Sequence, residues 1–112
     1  MVLEFKTSKL KKQCENPKVA QKDFGIQIGN KLTQRVNELK ASKSLDDIAK
    51  MHMFNGFHSL SGDRGGEFAV TLVHPHRLVF TVKDKNTENL YDNIKFLRIE
   101  EVTDYHGKNK RK

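Results

Sequence analysis

Two short segments of this chain carry side chains that could together perform acid/base chemistry on a phosphate. Asp104, Tyr105 and His106 follow one another near the end, and about thirty residues earlier the run from His74 to Phe80 has Arg77 at its centre. Cleaving RNA without a metal requires a base for the 2′-OH, an acid for the departing 5′-oxygen and a cation for the charge on the phosphorane. The two segments hold a candidate for each of these roles.

The chemistry of each side chain suggests a role. An unperturbed histidine changes its charge near neutral pH, so His106 suits either proton transfer. Arg77 stays charged and presents a planar fork to phosphate, which suits it to the charge of the transition state. Tyr105 could stack on a base or donate a hydrogen bond, and Asp104 could orient a histidine or take the 2′-OH proton itself.

Each of these assignments competes with a purely structural explanation. The run from Asp104 to His106 could simply finish a strand with polar groups. Arg77 could pair with Glu67 or Glu101 across a sheet instead of binding phosphate. The residues alone leave these alternatives open.

Metal and disulfide chemistry find little support in the sequence. Cys14 is the single cysteine, so it has no partner for an internal disulfide, and no CxxC or Cys/His cluster indicates structural zinc. A zinc site built from His74, His76 and His106 lacks a cysteine or carboxylate pattern to complete it, and histidines that flank a turn proline are commonly just exposed. We therefore expect neither a metal nor another cofactor.

Length and composition bound the domain organisation and the setting. A chain of 112 residues is enough for one core, so we expect a single domain over residues 1–106 and a basic tail over residues 107–112. The first residues contain no apolar run of signal-peptide length, and no stretch reaches the roughly 18 apolar residues of a membrane helix. We expect a cytoplasmic protein in a reducing environment, with no membrane partner.

The positive charge of the chain is unevenly distributed. The net charge is +7, and residues 1–50 hold 11 basic and 6 acidic side chains, whereas residues 51–106 hold 6 and 8 and the last six residues hold 4 and none. Polyanions gain affinity for such surfaces through counterion release, so a nucleic acid is the natural partner. Charge that serves solubility alone is the competing explanation.

Helical patterns dominate the first half. A short strand near Leu3 and a helical turn that opens near Ser8 come first. Asn16-Pro17 then predicts a helix start, with asparagine as the N-cap, and apolar residues recur every three or four positions until the helix ends near Ser42. Two glycines in this helix, Gly25 and Gly29, predict a break or a close approach there.

A second, shorter helix should begin at Ser44. The run Ser44-Leu45-Asp46-Asp47 resembles a capping box with aspartate in place of glutamate. The first half is therefore predicted to be a helical hairpin or two-helix layer.

Strand patterns follow from about residue 57 onward. Alternation points Leu78, Phe80 and Val82 into a core and Arg77 to the opposite face. Glycine-rich and Asn/Asp-rich runs separate the segments, which lie at 57–60, 67–72, 77–83 and 96–103. Helices followed by an antiparallel meander predict an α+β domain of two layers, with the N-terminal helices packed on a mainly antiparallel sheet of four to five strands.

Three motifs in this order closely resemble the RelE/ParE superfamily of toxins and, within it, the HigB-like (plasmid maintenance killer protein) branch. They are His58-Ser59-Leu60-Ser61-Gly62-Asp63-Arg64, then Arg77-Leu78-Val79-Phe80, then Asp104-Tyr105-His106. The resemblance covers about residues 57–106 at the level of motifs and the first half only through the order of elements. It implies a RelE-like microbial RNase fold and a type II toxin that cuts messenger RNA in the ribosomal A site without a metal.

The resemblance also implies partners and site residues. A helix-turn-helix antitoxin would hold the toxin silent, the free toxin would be a monomer, and ribosomal RNA and mRNA would be its nucleic-acid partners. His58 stands where relatives place a His or Glu, which makes it a second acid/base candidate. The implied catalytic residues are His58, Arg77, Asp104, Tyr105 and His106, and the implied RNA-binding residues are Arg64, His76, Lys83, Lys108, Lys110 and Arg111.

Two departures from the family pattern affect the expected charge. Relatives usually carry a lysine where this chain has Ser61, and many have Asn and Trp before the strand arginine where it has Pro75 and His76. The missing cation must come from Lys83, Arg64 or the basic tail, or else activity is reduced. The His-x-His-Arg form itself resembles the YoeB-like branch of the same superfamily.

Two other functions stay open at this point. A ParE-like toxin would inhibit DNA gyrase by binding, and needs no catalytic residues. A small basic RNA- or ribosome-binding protein without catalysis is the third possibility. The combination of Arg77 with Asp104-Tyr105-His106 favours the nuclease, because a protein that only binds has no use for it.

Overall fold

The computed structural model describes residues 1–53, 56–60, 66–82 and 91–104. Within these ranges the chain forms four α-helices, five strands and a 3₁₀ turn at Tyr91–Asn93. The elements in chain order are β1 (Val2–Phe5), α1 (Ser8–Glu15), α2 (Pro17–Phe24), α3 (Ile26–Ala41), α4 (Leu45–Met51), β2 (Phe57–Ser59), β3 (Glu67–Thr71), β4 (His76–Val82) and β5 (Phe96–Asp104).

The five strands form one mixed sheet in the order β1-β5-β4-β3-β2. β2 to β5 are antiparallel neighbours, as the meander pattern predicts, and β1 joins the far edge parallel to β5. β5 therefore lies between two strands, which explains why Leu97 and Ile99 are fully buried. The predicted α+β fold, with N-terminal helices on a mainly antiparallel sheet, is confirmed.

One core joins the helices to a single face of the sheet. Leu78, Phe80 and Val82 of β4 are at most 4% exposed and pack with apolar side chains of all four helices. Because successive strand residues point to opposite sides, Arg77 lies on the face turned away from the helices. We call this the open face.

Gly25 divides the long helix that the apolar periodicity predicts into two. α2 ends at Phe24 and α3 begins at Ile26, with Gly25 between them at φ +88°, a conformation that residues with side chains rarely adopt. Close packing occurs as well, because a Cβ added to Gly29 would lie 2.7 Å from the Cα of Gln21. The two predicted consequences of the glycines, a break and a close approach, are both present, and α2 folds back on α3.

α4 forms where it is predicted, but its capping differs from the expected box. Ser44 makes no side-chain cap hydrogen bond, and Oδ2 of Asp47 accepts instead from the backbone N–H of Lys43 at 2.9 Å. Leu45 and Ile48 are buried at 0% and 1% exposure. Burial of this apolar face therefore fixes α4 more than its cap does.

A charged network ties the helices to the end of β3. Arg35 donates from Nε to the backbone oxygen of Thr71 at 3.1 Å and pairs with Glu38 at 3.1 Å. The other oxygen of Glu38 lies 2.9 Å from Nε2 of His52, just beyond α4. Burial alone would raise the pKa of Glu38, but the hydrogen bond with His52 and the charge of Arg35 outweigh it, so this pKa lies below its ordinary value.

We expect Gly29→Ala to lower the melting temperature. Alanine ordinarily stabilises a helix relative to glycine by up to about 1 kcal/mol, but here the new methyl group would meet the backbone of Gln21 and cost about 1–3 kcal/mol. The control is Asn37→Ala at an exposed position of α3, which should stay within about 0.5 kcal/mol of wild type. Thermal and chemical denaturation measure both changes, and a stabilised Gly29→Ala variant would contradict the close packing of α2 on α3.

We expect Glu38→Gln to cost about 1–3 kcal/mol of unfolding free energy at pH 7, because it leaves Arg35 and His52 without their charged partner. The pKa of Glu38 is lowered by folding, so its contribution is present above the unfolded value of about 4.3 and is lost as the pH falls through the folded value. The difference in unfolding free energy between wild type and Glu38→Gln should therefore shrink below about pH 4.

Denaturation curves at several pH values test this. Glu15→Gln is the control, since Glu15 pairs with Lys40 at 3.4 Å on the surface and its loss should change stability by less than about 1 kcal/mol. An equal difference for Glu38→Gln at pH 3 and pH 7 would refute the assigned role of the carboxylate.

Candidate active site

The structure describes four of the candidate site residues: His58, His76, Arg77 and Asp104. The last three lie at one end of the sheet. At this end β3 and β5 finish and β4 begins. Arg77 pairs with Thr71 on one side and Thr103 on the other, and His76 pairs with Asp104. His76 and Arg77 are consecutive, so they lie on opposite faces of the sheet.

His76 and Asp104 form a pair on the helix side of the sheet. Nε2 of His76 and Oδ2 of Asp104 are 4.0 Å apart, and both side chains are about one-third exposed. This separation is longer than a direct hydrogen bond and short enough for electrostatic attraction. His76 is therefore a histidine that lies beside Asp104 in the described part of the chain.

A β-bulge decides which face Asp104 occupies. Val79 pairs with Glu101 while the next residue, Phe80, pairs with Ile99, so Glu100 is an extra residue in β5. Without the bulge, simple alternation would put Asp104 on the open face with Arg77. The structure instead brings the two residues to the same end of the sheet on opposite faces.

Arg77 lies on the open face beside a small apolar strip. Val79 and Ala69 pair with each other there and are both fully buried although they face away from the helices. Glu101, opposite Val79, lies diagonal to Arg77, whereas Glu67 pairs with Thr81 four residues along the strand. Of the two predicted cross-sheet partners, Glu101 is thus the closer in register.

His58 shares the open face with Arg77 but lies farther along the sheet. It is exposed on β2 and pairs with Ala69 of β3. Ala69 in turn pairs with Val79 of β4, two residues from Arg77. Standard strand spacings place the two Cα atoms about 12 Å apart, wide enough to admit a phosphate between the side chains.

Two residues that the sequence interpretation missed position this end of the sheet. Arg35 holds the backbone oxygen of Thr71, and Gly56 accepts from the N–H of Thr71 at 3.2 Å. A Cβ at Gly56 would overlap the Thr71 hydroxyl, so only glycine fits there. The available signal was that Arg35 is the sole arginine among the first 50 residues, three positions before a glutamate.

A groove of about 500 Å³ opens beside His76 on the helix side. One wall is the junction of α2 and α3, and the other is the turn from β3 to β4. Its lining residues are Phe24, Gly25, Ile26, Gln27, Ile28, Val73, His74, Pro75 and His76. Ile26 is 69% exposed, an unusual position for isoleucine that sequence periodicity did not single out.

Other reactive groups in the described part of the chain contribute little. Cys14 is 3% exposed, and burial raises the pKa of its thiol to about 12, so it stays protonated and unreactive at neutral pH. No group of three His, Cys, Asp or Glu side chains within the described ranges could hold a metal ion. In those ranges no helix is long and apolar enough to cross a membrane.

The remaining predicted site residues lie outside the described ranges. They are Arg64, Lys83, Tyr105, His106, Lys108, Lys110 and Arg111. Their assignments rest on the sequence alone.

Comparison with solved structures shows a similarity in fold. The chain is similar to the solved structure of a YoeB/ParE toxin from Agrobacterium tumefaciens, with a TM-score of 0.50 and 17% sequence identity over 91% of this chain and 95% of that chain. No protein-family model matches the sequence, and no curated protein matches it either. Identity this low shows the fold alone, and the chain therefore has the α+β fold of the YoeB/ParE toxin.

Proposed function

We propose that this protein is the toxin of a type II toxin-antitoxin system, and that it acts as a ribosome-dependent mRNA endoribonuclease. The observation that carries the proposal is that His76, Arg77 and Asp104 lie at one end of the sheet, Arg77 on one face and the other two on the opposite face, at the point where the sequence continues into Tyr105 and His106. The fold similarity to a YoeB/ParE toxin supports it. The HigB-like motifs belong to the same proposal, as does a helix-turn-helix antitoxin as partner.

The proposed reaction is an in-line displacement at phosphorus, in which the 2′-OH loses a proton and the departing 5′-oxygen gains one. A base removes the 2′-OH proton, the 2′-oxygen bonds to phosphorus, the bond to the 5′-oxygen breaks, and an acid protonates that oxygen. The products are a 2′,3′-cyclic phosphate and a free 5′-OH. No metal takes part in these steps.

Arg77 is assigned the role of stabilising the negative charge on the phosphorane, because its guanidinium stays positively charged and can donate two parallel hydrogen bonds. His106 and His58 are the proposed proton carriers, and Tyr105 would contact a base. Asp104 acts through His76, with which it pairs at 4.0 Å.

The open face needs positive charge from elsewhere to hold RNA. By strand register and contacts it carries four carboxylates, Glu4, Glu67, Glu100 and Glu101, against three cations, Arg77, Arg98 and Lys6, the last of which lies 3.9 Å from Glu100. A surplus of carboxylates on this face repels a phosphate. The proposal therefore gives Arg64, Lys83 and the tail lysines the role of the cation that relatives carry at the position of Ser61.

We expect expression of the wild type in translating cells to create new mRNA 5′ ends inside translated codons. Arg77→Ala should lower cleavage by about 100-fold or more, since it removes the cation at the phosphorane, and His106→Ala by a comparable factor, since it removes a proton carrier. Arg98→Ala is the matched control: it removes the same charge from the same face about 13 Å away and should cut within a few-fold of wild type. Mapping of 5′ ends measures all four proteins.

Two results would refute the nuclease. One is a wild type that creates no new ends, and the other is a pair of variants, Arg77→Ala and His106→Ala, that both cut as well as wild type. A DNA supercoiling assay with gyrase accompanies the mapping. Inhibition of supercoiling without mRNA cleavage would replace the nuclease by the ParE-like hypothesis.

We further propose that the helical layer docks on ribosomal RNA. Five lysines on α1 and α2 are exposed, and none of them pairs with a carboxylate among the residues that the structure describes: Lys9, Lys11, Lys12, Lys18 and Lys22. Lys40 and Lys50, in contrast, pair with Glu15 and Asp46 at 3.4 and 2.9 Å. Unpaired lysines can release counterions from a nucleic-acid backbone, whereas paired ones are already partly neutralised.

We expect the double variant Lys18→Gln/Lys22→Gln to bind ribosomes more weakly at low salt. The slope of log affinity against log salt should become shallower by about one to two, because each lysine that neutralises a phosphate adds close to one to the slope. Lys40→Gln/Lys50→Gln changes the net charge equally and should leave the slope nearly unchanged. Co-sedimentation with ribosomes across a potassium chloride series measures both, and equal slopes for the two double variants would show that the α2 lysines have no specific role.

A further inference from the structure

The groove beside His76, which we call the junction groove, combines apolar walls with a polar rim. Phe24, Ile26, Ile28 and Val73 supply the walls, and Gln27, with the histidines of the β3–β4 turn, supplies the polar groups. Its volume of about 500 Å³ falls in the range of small-molecule sites. The ligand that suits such a lining is a small ring with apolar faces and a polar edge.

A nucleobase has this chemistry. Its faces can pack against aliphatic and aromatic side chains, and its edge carries donors and acceptors that an amide such as Gln27 can pair with. An aliphatic side chain of a protein partner would fill the walls but leave the polar rim unpaired, which costs binding free energy.

The groove lies at the same strand end as the proposed phosphate site, on the other face of the sheet. His76 lines the groove and Arg77, the next residue, lies on the other face of the same strand end. The bases of single-stranded RNA can splay out from the backbone, so a strand with one phosphate at Arg77 can pass around this end of the sheet and place a nearby base at His76.

The charge around the groove favours the same ligand. Lys18 and Lys22 lie one helical turn apart on the exposed side of α2, which leads directly to Phe24 at the groove. Neither lysine pairs with a carboxylate in the described part of the chain. A backbone that leaves the groove along α2 would therefore meet two available cations.

We propose that the junction groove binds one nucleobase of the RNA strand and so contributes to the choice of cleavage position. This inference rests on the proposed function, because it takes RNA as the substrate at Arg77. The base lies against Ile26, and Gln27 contacts its edge.

The test measures binding of the purified full-length protein to a fluorescent single-stranded RNA hexamer, without ribosomes. A second set of hexamers carries one abasic position, moved through the sequence in turn, so that the phosphates stay the same. We expect one abasic position to weaken binding by about 5- to 100-fold, the usual effect of one stacked base.

Ile26→Ser should weaken binding of the intact hexamer by a similar factor and abolish the difference between intact and abasic RNA. Ile26 is mostly exposed, so this change should not affect folding, which thermal unfolding checks. Met51→Ser is the matched control, an apolar side chain 50% exposed at the end of α4, and should bind both RNAs as wild type does.

The inference is overturned if wild type binds intact and abasic hexamers equally, or if Ile26→Ser retains the difference. In the second case, loss of antitoxin binding in Ile26→Ser would reassign the groove to a protein side chain. Mapping of mRNA cleavage separates the groove inference from the proposed function. If Ile26→Ser still cuts mRNA at the same positions as wild type, the groove inference is wrong and the nuclease proposal stands. Absence of cleavage by wild type removes the nuclease, whatever the hexamers show.

Discussion

The extra residue in β5 is the constraint on which the candidate site depends. Leu97 and Ile99 point to the helices before the bulge, and Val102 does so after it, although it lies three positions beyond Ile99 and simple alternation would turn it away. Without the bulge at Glu100, Val102 would leave the core and Glu101 would enter it, which would bury a carboxylate beneath the helices. The hydrophobic effect therefore fixes the bulge, and the bulge in turn places Asp104 beside His76.

This register divides the site between two faces of one strand end. Arg77 serves the open face, and His76 with Asp104 serves the helix side, next to the junction groove. The strand end itself is held by Arg35, which reaches from α3 to the backbone of Thr71, opposite Arg77. A charged network in the helical layer thus contacts the strand residue that pairs with Arg77.

Sequence periodicity was sufficient for most of the fold. Asn16-Pro17, the alternation around Phe80 and the glycines of the long helix each mark a local choice that burial then reinforces. The bulge was harder to predict, because no glycine or proline marks the extra residue. The one signal in the sequence is that the apolar residues Ile99 and Val102 are three positions apart, which breaks the alternation of a regular strand. Sites are less predictable than folds, because Gly56 and Arg35 act through contacts that are distant in sequence.

The distribution of charge gives a physical reason for dependence on the ribosome in the proposed function. In the described part of the chain, lysines without a carboxylate partner lie on α1 and α2, while the open face around Arg77 carries four carboxylates against three cations. Free RNA would gain affinity mainly at the helical layer and the junction groove, and would be repelled at the open face, where the reaction occurs. An mRNA held on ribosomal RNA differs, because the large partner can occupy the lysines and present the messenger to the open face at high effective concentration. Under the proposal, the acidic surroundings of Arg77 therefore act as a filter that disfavours free RNA.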